Sequence, residues 1–187
     1  STGKTLLKLD IDQAKTIMKK AINKGYKSIA IVLMHAWKYH KHEKILKNIA
    51  KEIGFKNIYL SHDAAPLIGL NSRGDTTVVN AYLTPKLTRY TSKINKKIKD
   101  TKIYYMQSSG GLTSSKNFQG KDAVLSGPAG GVIAAVETNK QNKKYSGLIG
   151  LDMGGTSTDV FHYEKNYERS IENNIAGNKI KVPMLSI

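Results

Sequence analysis

Residues 147–160 read Gly147-Leu-Ile-Gly-Leu-Asp-Met-Gly-Gly-Thr-Ser-Thr-Asp-Val160, an apolar run that enters a doubly glycyl, hydroxyl-rich turn and leaves it through a second carboxylate. Leu148, Ile149 and Leu151, bounded by glycines, have the composition of a buried strand. Gly154 and Gly155 carry no Cβ, so they are expected to turn with positive φ and bring backbone N–H groups close to an anion. Thr156, Ser157 and Thr158 add hydroxyl donors. Asp152 and Asp159 flank the turn, and bare carboxylates repel a polyphosphate unless a divalent cation lies between them. The segment is therefore expected to bind phosphate, with Asp152 and Asp159 as the catalytic pair and as ligands to Mg²⁺, Asp159 also orienting an attacking water. The competing reading is a plain β-hairpin whose glycines and hydroxyls serve turn geometry alone.

Upstream, Ser126-Gly-Pro-Ala-Gly-Gly131 combines a capping residue, a proline suited to a first helical position and small residues behind it. Ser126, Gly127, Gly130 and Gly131 are expected to form a second phosphate or carboxylate cradle at a helix N-terminus. Close packing of that helix on a sheet explains the same glycines equally well. Gln107-Ser-Ser-Gly-Gly111 follows an apolar strand, at the end where ligands of open α/β sheets gather, which places Ser108 and Gly110 near substrate.

Periodicity and punctuation supply the remaining elements. Ala14, Ile17, Met18, Ala21 and Ile22 recur at helical spacing between Asp12 and Lys24, with Asp10 or Asp12 as cap and Gly25 as stop. A continuous apolar strand covers 28–34, a second amphipathic helix runs from about Lys41 to Ile53 before Gly54, and a short strand covers 57–61. A long helix is expected from Gly74 to Ile98, with Pro85 kinking it or starting a new segment. A strand over 102–107, a helix over 128–139 and antiparallel strands over 148–152, 157–163 and 167–175 complete the chain. Alternating helices and strands predict an α/β protein with a mostly parallel sheet followed by the antiparallel phosphate hairpin. His35, His40 and His42 beside Glu43 are expected to form a polar strand-to-helix loop, because His40 and His42 cannot share one helix face as metal ligands.

The block Asp152-Met-Gly-Gly-Thr-Ser-Thr-Asp159, preceded by Val124-Leu-Ser-Gly-Pro-Ala-Gly-Gly-Val132 and Met106-Gln-Ser-Ser-Gly-Gly-Leu112, resembles the hydantoinase A and 5-oxoprolinase family. Arg73-Gly-Asp-Thr-Thr-Val-Val-Asn-Ala-Tyr-Leu-Thr-Pro85, His35-Ala-Trp37 and His42-Glu43 are similar to the same family in the same order. Phe118-Gln-Gly-Lys-Asp-Ala-Val-Leu125, Tyr167-Glu-Arg-Ser170, Ala176-Gly177 and Val182-Pro-Met184 look more like the 5-oxoprolinase branch than the N-methylhydantoinase or acetone carboxylase branches. The resemblance implies ATP-dependent opening of a cyclic amide, with Mg²⁺ and with a hydantoinase B-like subunit or domain as partner. It also implies a fold built from ribonuclease H-type modules of the actin, Hsp70 and sugar kinase superfamily. Residues 1–70 would then be the rear of an N-terminal module and 71–187 the front of the next. Family members are several times longer, so the chain reads as an internal portion with incomplete modules, of marginal stability or oligomeric.

The composition bounds the alternatives. The 187 residues are 40% hydrophobic, enough for a substantial core, and the absence of cysteine excludes disulfides and thiolate metal sites and fits a cytoplasmic setting. The opening Ser1-Thr-Gly-Lys-Thr5 imitates half of a phosphate-binding loop but lacks the earlier glycine and the preceding strand, so no ATP role is expected there. A net charge of +16, concentrated before Tyr145, suggests polyanion binding. Yet Arg73, Arg89 and Arg169 are the only arginines, whereas dedicated nucleic-acid binders add guanidinium forks and aromatic platforms. A solvated lysine surface without specific nucleic-acid recognition is expected. Two function classes stand: a piece of an ATP-dependent lactam hydrolase, inactive alone, or a non-catalytic remnant or scaffold with nonspecific polyanion binding.

Overall fold

A computed structural model describes residues 2–142 and 145–187; Ser1, in the phosphate-loop mimic, and Lys143 and Lys144 lie outside the described residues. The protein is mixed α/β and divides into two compact units. The first comprises residues up to Pro85 together with Asn174–Lys181, and the second comprises Lys86–Asn173 and Val182–Ile187.

In the first unit, helix α1 (Ile11–Asn23) starts where the Asp10 carboxylate accepts the Gln13 N–H at 2.8 Å, satisfying one of the donors a helix start leaves open. Helix α2 (Lys41–Ile53) stops at Gly54, whose φ of 107° suits the left-handed cap. Strands β1 (Ser28–Ile31) and β2 (Asn57–Leu60) pair in parallel, from Ser28 opposite Asn57 to Ile31 opposite Leu60. Met18, Ile31, Leu46, Ile49, Ala50, Phe55 and Leu60 form the core. Full burial of each of its large side chains contributes about 1.5–3 kcal/mol. A single-turn helix α3 (Ser61–Ala64) follows β2 directly. Helix α4 (Leu70–Lys97) begins four residues before the expected Gly74 and continues through Pro85, where the two units divide. The expected strand over 28–34 is shorter than its apolar run. β1 ends at Ile31 because the backbone groups of Leu33 and Met34 are taken by buried side chains of α2 and α4.

The second unit contains strands β3 (Tyr104–Met106) and β4 (Leu112–Ser114), helix α5 (Ser126–Asn142), and strands β5 (Gly147–Met153) and β6 (Thr158–Glu164). Strands β7 (Arg169–Ile175) and β8 (Asn178–Leu185) turn at Ala176 and Gly177, both with positive φ, and their far ends belong to the first unit. Ala129, Val132 and Val136 on one face of α5 pack with Phe161, Tyr163 and Leu185. Gly150 in β5 lies under the Phe161 ring, which fills the space any side chain there would need.

Among the described residues the strands form four two-stranded sheets, and only β1–β2 is a parallel pair joined by a helix. This corrects the expectation of a mostly parallel sheet. The connections at 107–111, 154–157 and 176–177 are too short for the crossover that parallel strands need, so these pairs are hairpins.

Candidate functional site

The β5–β6 ladder runs without a bulge from Gly147 opposite Glu164 to Met153 opposite Thr158, which sets Asp152 directly opposite Asp159. Residues directly opposite share one face, with Cβ atoms about 4.5–5.5 Å apart, and like charges there repel. Leu148, Tyr163, Gly150 and Phe161 continue that face towards α5, whereas Ile149, Leu151, Met153 and Val160 lie on the exposed opposite face. The two carboxylates thus stand at the open end of the face that packs on α5. Asp152 is exposed, Asp159 is half-buried, and neither has a hydrogen-bond or ion-pair partner among the described residues.

The turn itself corrects one expectation. Gly154 and Gly155 do not have positive φ. The ladder reaches Met153 and Thr158, and the Gly154 N–H donating to the Ser157 carbonyl at 2.9 Å closes the turn without a left-handed residue. Gly155 borders open space, since a Cβ there would meet nothing within 4 Å, whereas a Cβ on Gly154 would lie 3.4 Å from the Ser157 carbonyl oxygen. Thr156, Ser157 and Thr158 are exposed beside them.

Helix α5 brings the second motif to the first. A Cβ on Gly131 would lie 4.0 Å from Asp152 Oδ2, so the helix backbone runs beside that carboxylate. Gly130 faces Met106 instead. Ser126 is the first helical residue rather than the cap, and its N–H donates to the Ala123 carbonyl at 3.3 Å. Pro128 has no N–H, and the Ala129 N–H donates to Leu125. Among the described residues this leaves Gly127 as the one N–H of the first turn without a backbone partner.

The third motif is placed differently from its expectation. Residues 107–111 are the turn of the β3–β4 hairpin, not the carboxyl edge of an open parallel sheet. Ser108 is fully buried; its hydroxyl donates to the Asp122 carbonyl at 2.9 Å and accepts the Leu125 N–H at 3.0 Å. It therefore positions the segment entering α5 instead of facing a ligand. Gly110 has φ of 81°, and a Cβ there would press on Ile133 and Leu185 at about 3 Å, so both backbone and packing require glycine.

Sequence reasoning missed a buried polar network in the first unit. Glu43, fully buried, accepts the Leu33 N–H at 2.9 Å and the Ser61 hydroxyl at 2.5 Å through Oε1, and His62 Nδ1 at 2.6 Å through Oε2. Arg73, also fully buried, donates from Nε to Ser61 Oγ at 2.9 Å and from its terminal nitrogens to the carbonyls of Leu33, Met34 and Leu67. Burial pushes the Arg73 guanidinium pKa down, and the Glu43 charge pulls it back up. His40, stacked on His62 at 4.3 Å, directs Nδ1 to the Ala36 carbonyl at 2.6 Å. The only advance signal was scarcity: in a chain that uses lysine for nearly every cation, an arginine marks a place where a planar fork is needed.

The donor set suits a nucleotide phosphate carrying Mg²⁺. That ion needs only one or two protein carboxylates and keeps water and phosphate oxygens for its other positions, and Asp152 with Asp159 forms such an uncompensated pair. Among the described residues no group of three or more His, Asp or Glu side chains forms a self-sufficient metal cage. No described helix is long and apolar enough to cross a membrane.

Comparison with known proteins gives these features a setting. The family model described as hydantoinase/oxoprolinase matches residues 73–187, and that described as the hydantoinase/oxoprolinase N-terminal region matches residues 1–54. 5-Oxoprolinase 1 of Arabidopsis thaliana is 42% identical over 182 residues, covering 95% of this chain and 14% of its own length. The 5-oxoprolinase of Saccharomyces cerevisiae is 40% identical over 188 residues, covering 98% of this chain and 15% of its own. This chain therefore spans about one-seventh of those relatives. The ATP-dependent caprolactamase of Pseudomonas jessenii superposes with a TM-score of 0.87 at 26% identity over 100% of this chain and 28% of that one. Nucleotide-free acetone carboxylase shares the fold, with a TM-score of 0.86 at 24% identity over 97% of this chain and 27% of that one. With one family model covering most of its length and a second covering its beginning, the chain belongs to the hydantoinase/oxoprolinase family.

Proposed function

We propose that this chain carries the phosphate-handling part of an ATP-dependent hydrolase that opens a cyclic amide, with 5-oxoproline as substrate. The observation that carries the reading is the pair Asp152 and Asp159, opposite one another and beside the α5 backbone at Gly131. Membership of the family and the names of the 40–42% identical relatives supply the substrate class. In this reading β5, β6 and α5 form the phosphate-holding corner of an actin-like module.

Asp152 and Asp159 would hold a Mg²⁺ ion that neutralises nucleotide phosphate charge, while the turn hydroxyls of Thr156 and Ser157 and the Gly127 N–H face phosphate oxygens; Thr158, opposite Met153, lies on the other face of the ladder. Transfer of the γ-phosphoryl group to the lactam oxygen makes the ring carbon electrophilic; water adds, the C–N bond breaks, and glutamate and phosphate leave. Asp159, half-buried, is the carboxylate that orients the water. Gly131 keeps the helix slim beside Asp152 for that approach, whereas Gly130 allows α5 to pack on Met106 and Ser126 ties the helix entry to Ala123. The remaining parts of the site come from further segments of a longer polypeptide or from a hydantoinase B-like partner.

Calorimetric titration of the full-length protein with MgATP at moderate salt tests this reading. Saturable binding that is lost in Asp152→Asn and Asp159→Asn is the expected result. Binding and 5-oxoproline-dependent phosphate release that persist at near-normal levels in both variants would remove the hairpin from the mechanism.

A further inference from the structure

Arg169 is held in a way that ordinary surface cations are not. Its Nε donates to the Ser109 carbonyl at 3.0 Å, and its guanidinium carbon sits 5.5 Å from the centroid of the Tyr167 ring. Tyr167 is itself fixed, because its hydroxyl donates to Glu137 at 3.2 Å, and Glu137 in turn accepts from Lys140 at 2.8 Å. Lys140 also lies 5.5 Å from the Tyr167 ring centroid. The one carboxylate in this cluster is thus shared by Lys140 and Tyr167, and none is directed at Arg169.

An arginine anchored through Nε and ring stacking keeps four N–H groups on its terminal nitrogens, arranged as a planar fork. Among the described residues those groups have no partner, and the side chain is exposed. Its location is equally specific. Ser109 adjoins Ser108, whose hydroxyl accepts the Leu125 N–H at the entrance to α5, so the fork is tied to the loop that sets the start of that helix. Composition points the same way. Lysine serves nearly every cationic position in this chain, and a cation needed only for solubility would follow suit.

We propose that Arg169 is the substrate-binding residue that receives a carboxylate carried on the lactam ring, through two parallel hydrogen bonds from its terminal nitrogens. The assignment rests on the reading that the chain serves a 5-oxoproline-opening enzyme, since that lactam carries such a carboxylate next to its ring nitrogen. Tyr167 and Ser109 act as positioning groups, reducing the freedom the guanidinium would otherwise lose on binding. Lactams without the carboxylate would gain nothing from Arg169.

The test measures phosphate release by the full-length protein against 5-oxoproline concentration, for wild type, Arg169→Gln and Arg169→Lys. Inhibition by 2-pyrrolidinone, the same ring without the carboxylate, is measured in parallel. Loss of a charge-assisted bidentate contact should raise KM for 5-oxoproline about 10- to 100-fold in Arg169→Gln. Inhibition by 2-pyrrolidinone, the thermal midpoint and MgATP affinity should stay at wild-type values, and Arg169→Lys should fall between the two because it keeps the charge without the fork. An unchanged KM for 5-oxoproline in Arg169→Gln, with wild type active, overturns the assignment of Arg169 alone. So does an equal loss of 2-pyrrolidinone inhibition. Wild type that releases no phosphate in response to 5-oxoproline overturns the underlying reading and this inference with it.

Discussion

Two groups of charged side chains in this protein are treated in opposite ways. In the first unit Glu43 and Arg73 are fully buried, and every hydrogen bond found for them is to the chain itself: Ser61, His62 and the backbone of residues 33, 34 and 67. In the second unit Asp152 and Asp159 face each other across a ladder with no described partner at all. A buried charge costs several kcal/mol unless it is paired, so the first arrangement exists to hold the fold together. Two like charges left side by side at an open edge cost stability, and that cost is recovered when a cation arrives. Complete internal satisfaction marks the first group as structural, whereas the uncompensated pair is the feature on which the proposed phosphate site rests.

Removing one side of the buried network should have the largest effect on stability. Arg73→Ala leaves Glu43 buried beside an unfilled space and should cost about 3–5 kcal/mol in chemical denaturation. A loss below about 1 kcal/mol would mean that water replaces the guanidinium and that the network is not sealed. Ser108→Ala comes next. It strands the half-buried Leu125 N–H and should cost about 1–3 kcal/mol, with Ser108→Thr judged by the same denaturation curve as the variant that keeps the hydroxyl.

Asp159→Asn should do the reverse without nucleotide. It relieves the cross-strand repulsion and should raise stability by about 0.2–1 kcal/mol, while MgATP ceases to stabilise the protein in a thermal shift assay. A fall in stability would show that Asp159 has a structural partner and would blur the contrast between the two regions. The smallest change is expected for Glu137→Gln. The hydrogen bond from Lys140 holds the Glu137 carboxyl below its ordinary pKa, so its contribution is present above the unfolded-state pKa and lost as pH falls through the folded one. Because Glu137 is exposed, the variant should show only a slight loss of thermal midpoint at neutral pH, vanishing in acid; a loss that persists there would assign the contact to packing instead.

Local patterns were legible wherever one short segment determines the outcome. The helical spacing of Ala14, Met18, Ala21 and Ile22 produced α1, Gly54 ended α2, and the glycyl turn at 154–155 produced a hairpin. Expectations failed where distant side chains compete for backbone groups. The apolar run to Met34 loses its last residues to Glu43 and Arg73, and residues 107–111 become a hairpin turn because β4 returns beside β3. An amino-acid string records that Leu33 is apolar but not which donor waits for its carbonyl.

By itself the sequence determined the family, the positions of α1, α2, α4, α5 and most strands, and the two aspartates flanking a glycyl turn, because each follows from residue type and spacing over a few positions. Only the tertiary structure decided that these aspartates stand directly opposite one another beside Gly131, that Ser108 is a buried tie and not a ligand contact, and that Arg169 holds out a fork with no partner among the described residues. Those outcomes depend on strand register and on contacts between residues up to sixty positions apart, as between Arg169 and Ser109, and such pairings are set by packing, not by neighbours in the chain.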